Sequence, residues 1–214
     1  MTATVSIAND GADVAREALE RCVAEEGVAV FPADTLYGLG CDPSSPAAIE
    51  RIHSLKGRDE DKPSAVMFFA PLAMRELLAT LGPRTRDALG ELLPGAVTLV
   101  VDNPQRRYPL ASRDQPERLG IRLIDGPLGG VRYPILQTSA NRSAEPPPSR
   151  FEDIDAEILA GAGLAIDGGE LIGKPSTVVD LTALDSGGSW RVLRSGAMGP
   201  AELDARLGES REQD

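Results

Sequence analysis

The sequence predicts an α/β fold in which helices flank one twisted sheet of mixed parallel and antiparallel strands. Short apolar runs rich in β-branched residues alternate along the chain with segments of helical periodicity. Several connections between the apolar runs are too short to hold a crossover helix, so part of the sheet is expected to be antiparallel. The 214 residues suffice for one substantial core. We therefore expect a single domain over residues 1–208, followed by a frayed tail over residues 209–214.

The predicted elements follow from the apolar runs and from the prolines and glycines that interrupt them. Strands are expected at residues 4–8, 28–31, 65–69, 97–101, 119–123, 134–137, 164–166, 177–181 and 190–193. Helices are expected at residues 13–25, 46–55, 71–80, 83–92, 151–159 and 200–207. The polar, proline-interrupted stretch 103–118 is expected to be a loop.

Two of the predicted helices carry start signals in the sequence. The second helix has Ser45 as its N-cap, a proline at its first position and Gly57 in the place of a left-handed C-cap. Just before the fifth helix, Ser149 and Glu152 have the spacing of a capping box. These signals set both expected ends of the second helix and the expected start of the fifth.

The charge of the chain limits the classes of function that it can serve. With 33 acidic and 22 basic residues, the formal net charge is −11. Broad nonspecific nucleic-acid binding requires many phosphates to be neutralised, so this acidity argues against it. In so acidic a chain, a local cluster of Lys and Arg indicates a site for a small anion.

Histidine and cysteine usage excludes further classes. His53 is the only histidine, so no Ser/His/Asp triad or Cys/His zinc site is expected, and His53 is predicted to be structural or exposed. Cys22 and Cys41 form neither a CxxC pair nor a disulfide framework, and Cys22 lies on the apolar face of the first helix, where it is expected to pack. Without an apolar run of roughly 18 residues or a recognisable export signal, we expect a cytoplasmic protein that does not contact membranes.

Polar residues gather around the second predicted strand and the helix that follows it. Asp34 and Thr35 come directly after the strand, where open α/β sheets usually bind ligands. Lys56, Arg58 and Lys62 follow the helix. Cations near a helix C-terminus gain roughly 0.3–1 kcal/mol, and this structural explanation accounts for an isolated basic cluster.

Three further segments are candidates for chemistry. Arg122 alternates with apolar residues in a predicted strand, so its guanidinium needs an anionic partner, either a structural carboxylate or a ligand. Residues 138–141 (TSAN) place hydroxyls and an amide after a strand, where they can bind phosphate or carboxylate or simply form a turn. Residues 168–175 (GGELIGKP) nearly match a phosphate-binding loop, but Pro175 replaces its hydroxyl residue, so none is expected.

The whole set of motifs resembles the YrdC-like family of threonylcarbamoyl-AMP synthases, in its short, single-domain form. The resemblance begins with FPADTLYGL, a helix and KGRxxxKP between residues 31 and 63. It continues with ordered motifs that together extend to about residue 198: LLPGAVTLVV (92–101), LGIRL (119–123), TSANRS (138–143), PSTVVDL (175–181) and VLRSGAM (192–198). Six motifs in one order are far more specific than any one of them.

The resemblance implies a fold, a reaction and partners. The implied fold is a YrdC/RibB-like single α/β domain with a concave, positively charged face. The implied reaction joins L-threonine, bicarbonate or CO₂, and ATP into L-threonylcarbamoyladenylate and releases pyrophosphate. ATP is then a substrate and Mg²⁺ is expected with it, whereas no residue is predicted to bind a metal directly. The product would pass to a complex that modifies tRNA to N6-threonylcarbamoyladenosine, and weak contact with RNA is possible.

The resemblance also implies roles for matched residues. Lys56 and Arg58 match catalytic positions. The matched threonine-binding residues are Thr35, Arg122, Ser139 and Ser176. The matched ATP-binding residues are Lys56, Arg58, Lys62, Asn141, Ser149 and Arg194.

The sequence departs from the family pattern in several places, of which the segment after Arg122 bears on function. The segment after Arg122 is short, so a helix usual in the family is expected to be missing or reduced, and Ala144 stands where the family has glycine. The first departure leaves open a YciO-like paralogue or a carbamoyl-adenylate-handling enzyme of the same fold. A double-stranded-RNA-binding or ribosome-maturation module is the alternative from a different class.

Overall fold

A computed structural model describes residues 2–57 and 62–208 of the chain. The described residues form one ten-stranded sheet in the order β1-β8-β2-β3-β7-β4-β6-β5-β9-β10. The strands are β1 (Ala3–Ser6), β2 (Ala29–Pro32), β3 (Tyr37–Cys41), β4 (Ala65–Phe68), β5 (Val97–Asp102), β6 (Arg118–Leu123), β7 (Ile135–Ser139), β8 (Leu164–Asp167), β9 (Thr177–Asp180) and β10 (Arg191–Arg194). The helices are α1 (Ile7–Asp10), α2 (Ala12–Ala24), α3 (Pro46–Lys56), α4 (Arg75–Leu78), α5 (Pro83–Leu92), α6 (Pro109–Ser112), α7 (Ala156–Gly161) and α8 (Pro200–Leu207).

The sheet mixes parallel and antiparallel pairs, which confirms the predicted fold class. Parallel pairing joins β8 to β1 and β2, β4 to β6, and β5 to β9. The remaining neighbours, including the β2–β3 hairpin, are antiparallel. The short connections noted in the sequence are therefore hairpins and turns.

One face of the sheet is covered along most of its width by the larger core. Helices α3, α5, α7 and α8 bury apolar residues there against strand residues such as Leu39, Val66, Leu99 and Ile121. The start signals of α3 act as predicted, because the Ser45 side chain accepts a hydrogen bond from the Ala48 amide and Gly57 is left-handed with φ 56°.

The opposite face is covered over only part of its width. Helix α2 and residues 124–131 pack there on a smaller core that contains Phe31, Met67 and Ile135. Residues 125–134 contain turns and no helix, so the helix that the family has after Arg122 is missing, as predicted. The strand residues beyond this cover line a cavity instead.

Several predicted elements need correction. Strand β3 is absent from the elements that the sequence predicts, because its two glycines indicate a break in regular structure. A Cβ at Gly40 would lie 2.6 Å from a methyl of Ile135 and 2.8 Å from the Leu136 carbonyl, so this glycine lets β3 approach β7 closely. The predicted helix 71–80 is divided into a 3-10 helix at Pro71–Met74 and the short helix α4. The predicted loop 103–118 contains the short helix α6. The predicted strand 4–8 ends early, because the chain turns into α1 at Ile7.

The predicted capping box before the fifth helix is wrong. The chain forms a 3-10 turn at Phe151–Asp153, and α7 begins later, with the Asp155 carboxylate accepting from the Glu157 and Ile158 amides. Asp155 satisfies the free amides of the first turn, so Ser149 has no capping role there. The predicted tail over residues 209–214 lies outside the described residues, and the domain boundary at 208 stays a prediction.

Candidate active site

A cavity of about 360 Å³ lies on the partly covered face of the sheet. Its floor is formed by strands β5, β6 and β9, through Thr98, Val100, Gly120 and Val178. The neighbours of these residues along each strand point into the larger core on the opposite face, as the alternation of a strand requires. The cavity therefore lies on the same face of the sheet as the smaller core, over the part of that face that α2 and residues 124–131 do not cover.

Five of the residues predicted to bind substrate line this cavity: Thr35, Arg122, Ser139, Ser176 and Arg194. They come from the β2–β3 connection, β6, β7, the residue before β9 and β10, which are far apart in the sequence. Sheet pairing brings these elements together, so the set is assembled only by the tertiary fold.

Arg122 is paired with Asp34. The Arg122 side chain is 5% exposed and donates from Nη2 to Asp34 Oδ1. Of the two anionic partners expected for Arg122, a carboxylate of the protein is therefore present. Burial lowers the pKa of Arg122, Asp34 opposes that shift, and the charge of Arg194 adds to it. Arg122 Nε and Asp34 Oδ2 are both buried and have no hydrogen-bond partner among the described residues.

Arg194 and Ser176 form a second polar group in the cavity. Arg194 Nη2 donates to the Ser176 carbonyl at 2.9 Å and to the Ser176 hydroxyl at 3.3 Å, and that hydroxyl lies 2.9 Å from Thr98 Oγ1. Burial lowers the pKa of Arg194. Two partly desolvated guanidinium groups that repel each other create a strong preference for an anion between them.

Lys56 lies beneath the turn that follows β7. Its buried ammonium donates to the carbonyls of Ser139 and Asn141, the latter at 2.6 Å, and its own carbonyl accepts from the Ser143 amide at 2.8 Å. These bonds fix the TSAN turn against the end of α3. Lys56 thus positions the Ser139 side of the cavity, and its predicted contact with phosphate stays a prediction.

Three of the predicted ATP-binding residues, Lys62, Asn141 and Ser149, are described by the structure and do not line the cavity. Asn141 donates to the carbonyls of Arg142 and Glu145, and its buried Oδ1 has no partner among the described residues. Ser149 accepts through its carbonyl from the Leu171 amide. Exposed Lys62 precedes cavity-lining Pro63, whereas Arg58 lies outside the described residues.

Sequence reasoning missed other polar residues that line the cavity: Arg118, Ser112, Gln115 and Gln137. The alternation of Arg118, Gly120 and Arg122 along β6 could have identified the first of these, because residues two apart share one face of a strand. Ser112 and Gln115 belong to α6 and the turn after it, and no local signal indicates that this segment folds over the sheet.

The structural roles predicted for His53 and Cys22 are confirmed. His53 is buried, with Nε2 3.4 Å from Arg113 Nη2, and Cys22 packs against the smaller core. Residues 168–175 lead into strand β9 rather than into a helix, so they do not form a phosphate-binding loop. In the described ranges, no group of three His, Cys, Asp or Glu side chains is arranged to hold a metal ion. No helix in the part of the chain that the structure describes is long and apolar enough to cross a bilayer.

Comparisons with known proteins place these features in context. A family model named Sua5_yciO_yrdC, described as "Telomere recombination", matches residues 21–196. A Chromohalobacter salexigens protein named threonylcarbamoyl-AMP synthase is 34% identical over 158 residues, which cover 71% of this chain and 84% of that protein. A Bacillus subtilis protein of the same name is 28% identical over 201 residues, which cover 88% of this chain and 58% of that protein.

A solved structure of a Sua5 protein is also similar to this chain. The crystal structure of P. abyssi Sua5 complexed with L-threonine matches with a TM-score of 0.82 and 27% identity, over 99% of this chain and 62% of that one. This chain therefore spans less than two thirds of the length of the Bacillus subtilis protein and of the P. abyssi structure.

Proposed function

Because this chain belongs to the Sua5_yciO_yrdC family, we propose that it synthesises threonylcarbamoyl-AMP from L-threonine, bicarbonate or CO₂, and ATP. The single observation that carries the proposal is the cavity in which Arg122 and Arg194 lie with the hydroxyl residues Thr35, Ser139 and Ser176. Guanidinium groups suit a carboxylate and phosphates, and hydroxyl groups suit the polar parts of a small amino acid.

The proposed chemistry needs positioned charge more than a strong base. The amine of threonine forms a C–N bond with CO₂ and loses a proton, which yields a carbamate. A carbamate oxygen then attacks the α-phosphorus of ATP, and the bond from that phosphorus to the bridging oxygen of pyrophosphate breaks. Such displacements depend on alignment and on neutralised negative charge, and an acidic chain that gathers three arginines in one cavity supplies that charge.

Each residue has a place in this proposal. Arg122 and the hydroxyl residues bind threonine, and Arg194 faces the nucleotide. Lys56 holds the turn that carries Ser139 and Asn141, whose unpartnered buried Oδ1 suits a hydroxyl or amino group of the nucleotide. The predicted contacts of Arg58, Lys62 and Ser149 with ATP rest on the family resemblance alone.

Magnesium fits the proposal as an ion carried by ATP. Mg²⁺ keeps several waters and is commonly bound by substrate phosphates with only one or two carboxylates. The described residues contain no cluster of three carboxylate, His or Cys ligands, so they fit that mode rather than a protein cage. When bound, the ion would neutralise charge on the phosphates.

The setting of the reaction is also part of the proposal. We propose a cytoplasmic enzyme that hands its product to a tRNA threonylcarbamoyl-transferring complex. The proposal includes no more than weak contact with RNA, because a net charge of −11 opposes RNA binding. No specific feature favours the RNA-binding, YciO-like or carbamoyl-adenylate alternatives over the synthase.

The experiment measures pyrophosphate release from MgATP and bicarbonate with each amino acid added separately. We expect release that depends on threonine, a loss of about 100-fold or more in Arg122→Ala, and a loss of about tenfold or more in Lys56→Ala. The control is Arg132→Ala, since Arg132 is exposed, pairs with Glu20 and lies outside the cavity.

Three outcomes would overturn the proposal. ATP binding without any dependence on threonine would favour the related enzymes, and stimulation by carbamoyl phosphate would identify the carbamoyl-adenylate class. Salt-dependent binding of double-stranded RNA that persists in Lys56→Ala, without pyrophosphate release, would favour the RNA-binding module.

A further inference from the structure

Asp34 contacts the cavity-lining residue Arg122 and has a carboxylate oxygen without a partner among the described residues. It lies in the connection between β2 and β3, directly before cavity-lining Thr35, and its side chain is 20% exposed. Oδ1 accepts from Arg122, while Oδ2 is buried and has no hydrogen-bond partner among the described residues. Buried polar atoms are nearly always paired in native proteins, so an unpaired carboxylate oxygen calls for an explanation.

The pairing with Arg122 does not by itself explain Asp34. A carboxylate and a guanidinium can form two parallel hydrogen bonds, which would also use Arg122 Nε. Here one contact is made, and Nε and Oδ2 are both left without partners among the described residues. A purely structural ion pair gains from the bidentate arrangement, so the single contact leaves one donor and one acceptor for a ligand that carries both charges.

The charges around the cavity select Asp34 for this role. Among the residues that the structure describes, each charged residue that lines the cavity is an arginine: Arg118, Arg122 and Arg194. The ammonium group of an amino acid would be repelled there unless a carboxylate received it. Asp180 also contacts a lining arginine, Arg118, but its oxygens already accept from Arg191 and from Thr182. Asp34 keeps an oxygen without such a partner.

We propose that Asp34 and Arg122 together form a receptor for an α-amino acid zwitterion, with the α-ammonium on Asp34 and the α-carboxylate on Arg122. The identity of the amino acid as threonine rests on the proposed function. The receptor holds the amine beside Thr35 and sets its position for the carbamate-forming step. It also requires a free α-amine, so acids of the same shape that lack the amine are poor ligands.

The test compares two ligands and two variants in the absence of ATP and in the presence of a metal chelator. L-Threonine carries both charges, whereas (R)-3-hydroxybutyrate keeps the carboxylate, the methyl and the hydroxyl but lacks the amine. Asp34→Asn keeps one oxygen that can accept from Arg122, removes the charge and replaces the second acceptor oxygen with an NH2 donor. Asp34→Glu keeps the charge and serves as the matched control.

We expect Asp34→Asn to weaken threonine binding about tenfold or more and to change hydroxybutyrate binding about twofold or less, as measured by calorimetry and ligand-observed NMR. Asp34→Glu should recover part of the threonine affinity. Equal weakening of both ligands would mean that Asp34 only supports Arg122, and unchanged threonine binding would mean that it does not meet the amine. Either result overturns the receptor.

The proposed function fails in a distinguishable way. If the unmodified protein binds no threonine but binds another α-amino acid, the same pair of measurements with that amino acid and its des-amino analogue still tests the receptor. A protein that binds no α-amino acid at all would overturn both proposals. Circular dichroism of each variant shows that a loss of binding is not a loss of folding.

Discussion

Two halves of one sheet face differ in what covers them. On the covered half, Phe31, Met67 and Ile135 pack beneath α2 and residues 124–131. On the open half, Arg122 and Gln137 line the cavity. The change occurs within single strands, because Met67 and Ile135 lie two residues from Ala65 and Gln137 on the same face of β4 and β7.

This contrast explains how a short cover segment can serve the site. Residues 124–131 contain no helix, yet Ile124, Leu128 and Val131 are buried in the smaller core. The cover therefore ends where Arg122 begins to face the cavity. Arg122 takes its support from Asp34 across the sheet, so the missing helix does not leave it unsupported.

The largest expected effect comes from the covered half. Phe31 is fully buried, with its ring 6.1 Å from that of Phe69. Phe31→Ala should lower the free energy of unfolding by about 3–5 kcal/mol, because the cavity left behind cannot collapse fully. Thr98→Ala, in the floor of the open half, should cost about 1 kcal/mol or less. Urea unfolding of both variants gives the comparison, and equal losses would contradict the distinction between the halves.

The next effect tests the backbone that holds the open half. A Cβ at Gly196 would lie 2.3 Å from the Pro175 carbonyl oxygen and 2.5 Å from the carbonyl carbon of Ser176. Gly196→Ala must displace Ser176, so we expect threonine-dependent pyrophosphate release to fall about tenfold or more. A Cβ at Gly199 would meet nothing within 4 Å, so Gly199→Ala is the matched control. Similar activity in both variants would show that the position of Ser176 does not matter.

Alkaline pH should weaken the folded state through groups buried in both cores. Burial raises the pKa of Cys22 to about 11 and that of Cys41 to about 12. Their ordinary value is 9, so the unfolded chain loses these protons first. The free energy of unfolding is unaffected by these thiols below pH 9 and should fall as pH rises from 9 towards 11. Urea unfolding across this range measures the effect, with a variant that carries both Cys22→Ala and Cys41→Val as the control. An equal fall in that control would assign the effect to other groups.

The smallest expected effect is a gain in stability at the turn beside the cavity. Ala144 has φ 69°, in the left-handed region that alanine adopts at a cost. Ala144→Gly should raise the free energy of unfolding by up to about 1 kcal/mol. In contrast, Ala47→Gly, at an exposed position inside α3, should lower it by about 1 kcal/mol. A loss at both positions would indicate that the turn tolerates alanine without strain.

The sequence by itself determined those features whose signals are local. Helix α3 is an example, because its N-cap, first-turn proline and C-cap glycine lie within the segment that they delimit. The buried face of β6 is another, since alternation along a strand is visible in the residues themselves. The ordered motifs likewise identified the family and named the cavity residues Thr35, Arg122, Ser139, Ser176 and Arg194.

Only the tertiary structure decided which distant groups meet. Strand β3 has too many glycines to be read as a strand, and its close approach to β7 gives those glycines their purpose. The partner of Arg122 lies 88 residues away, and Ser149 matched a cap that Asp155 provides instead. Pairing energies between such positions depend on sheet register and burial, which no local pattern contains. The cavity lies on the open half of the sheet face, because α2 and residues 124–131 cover only the other half.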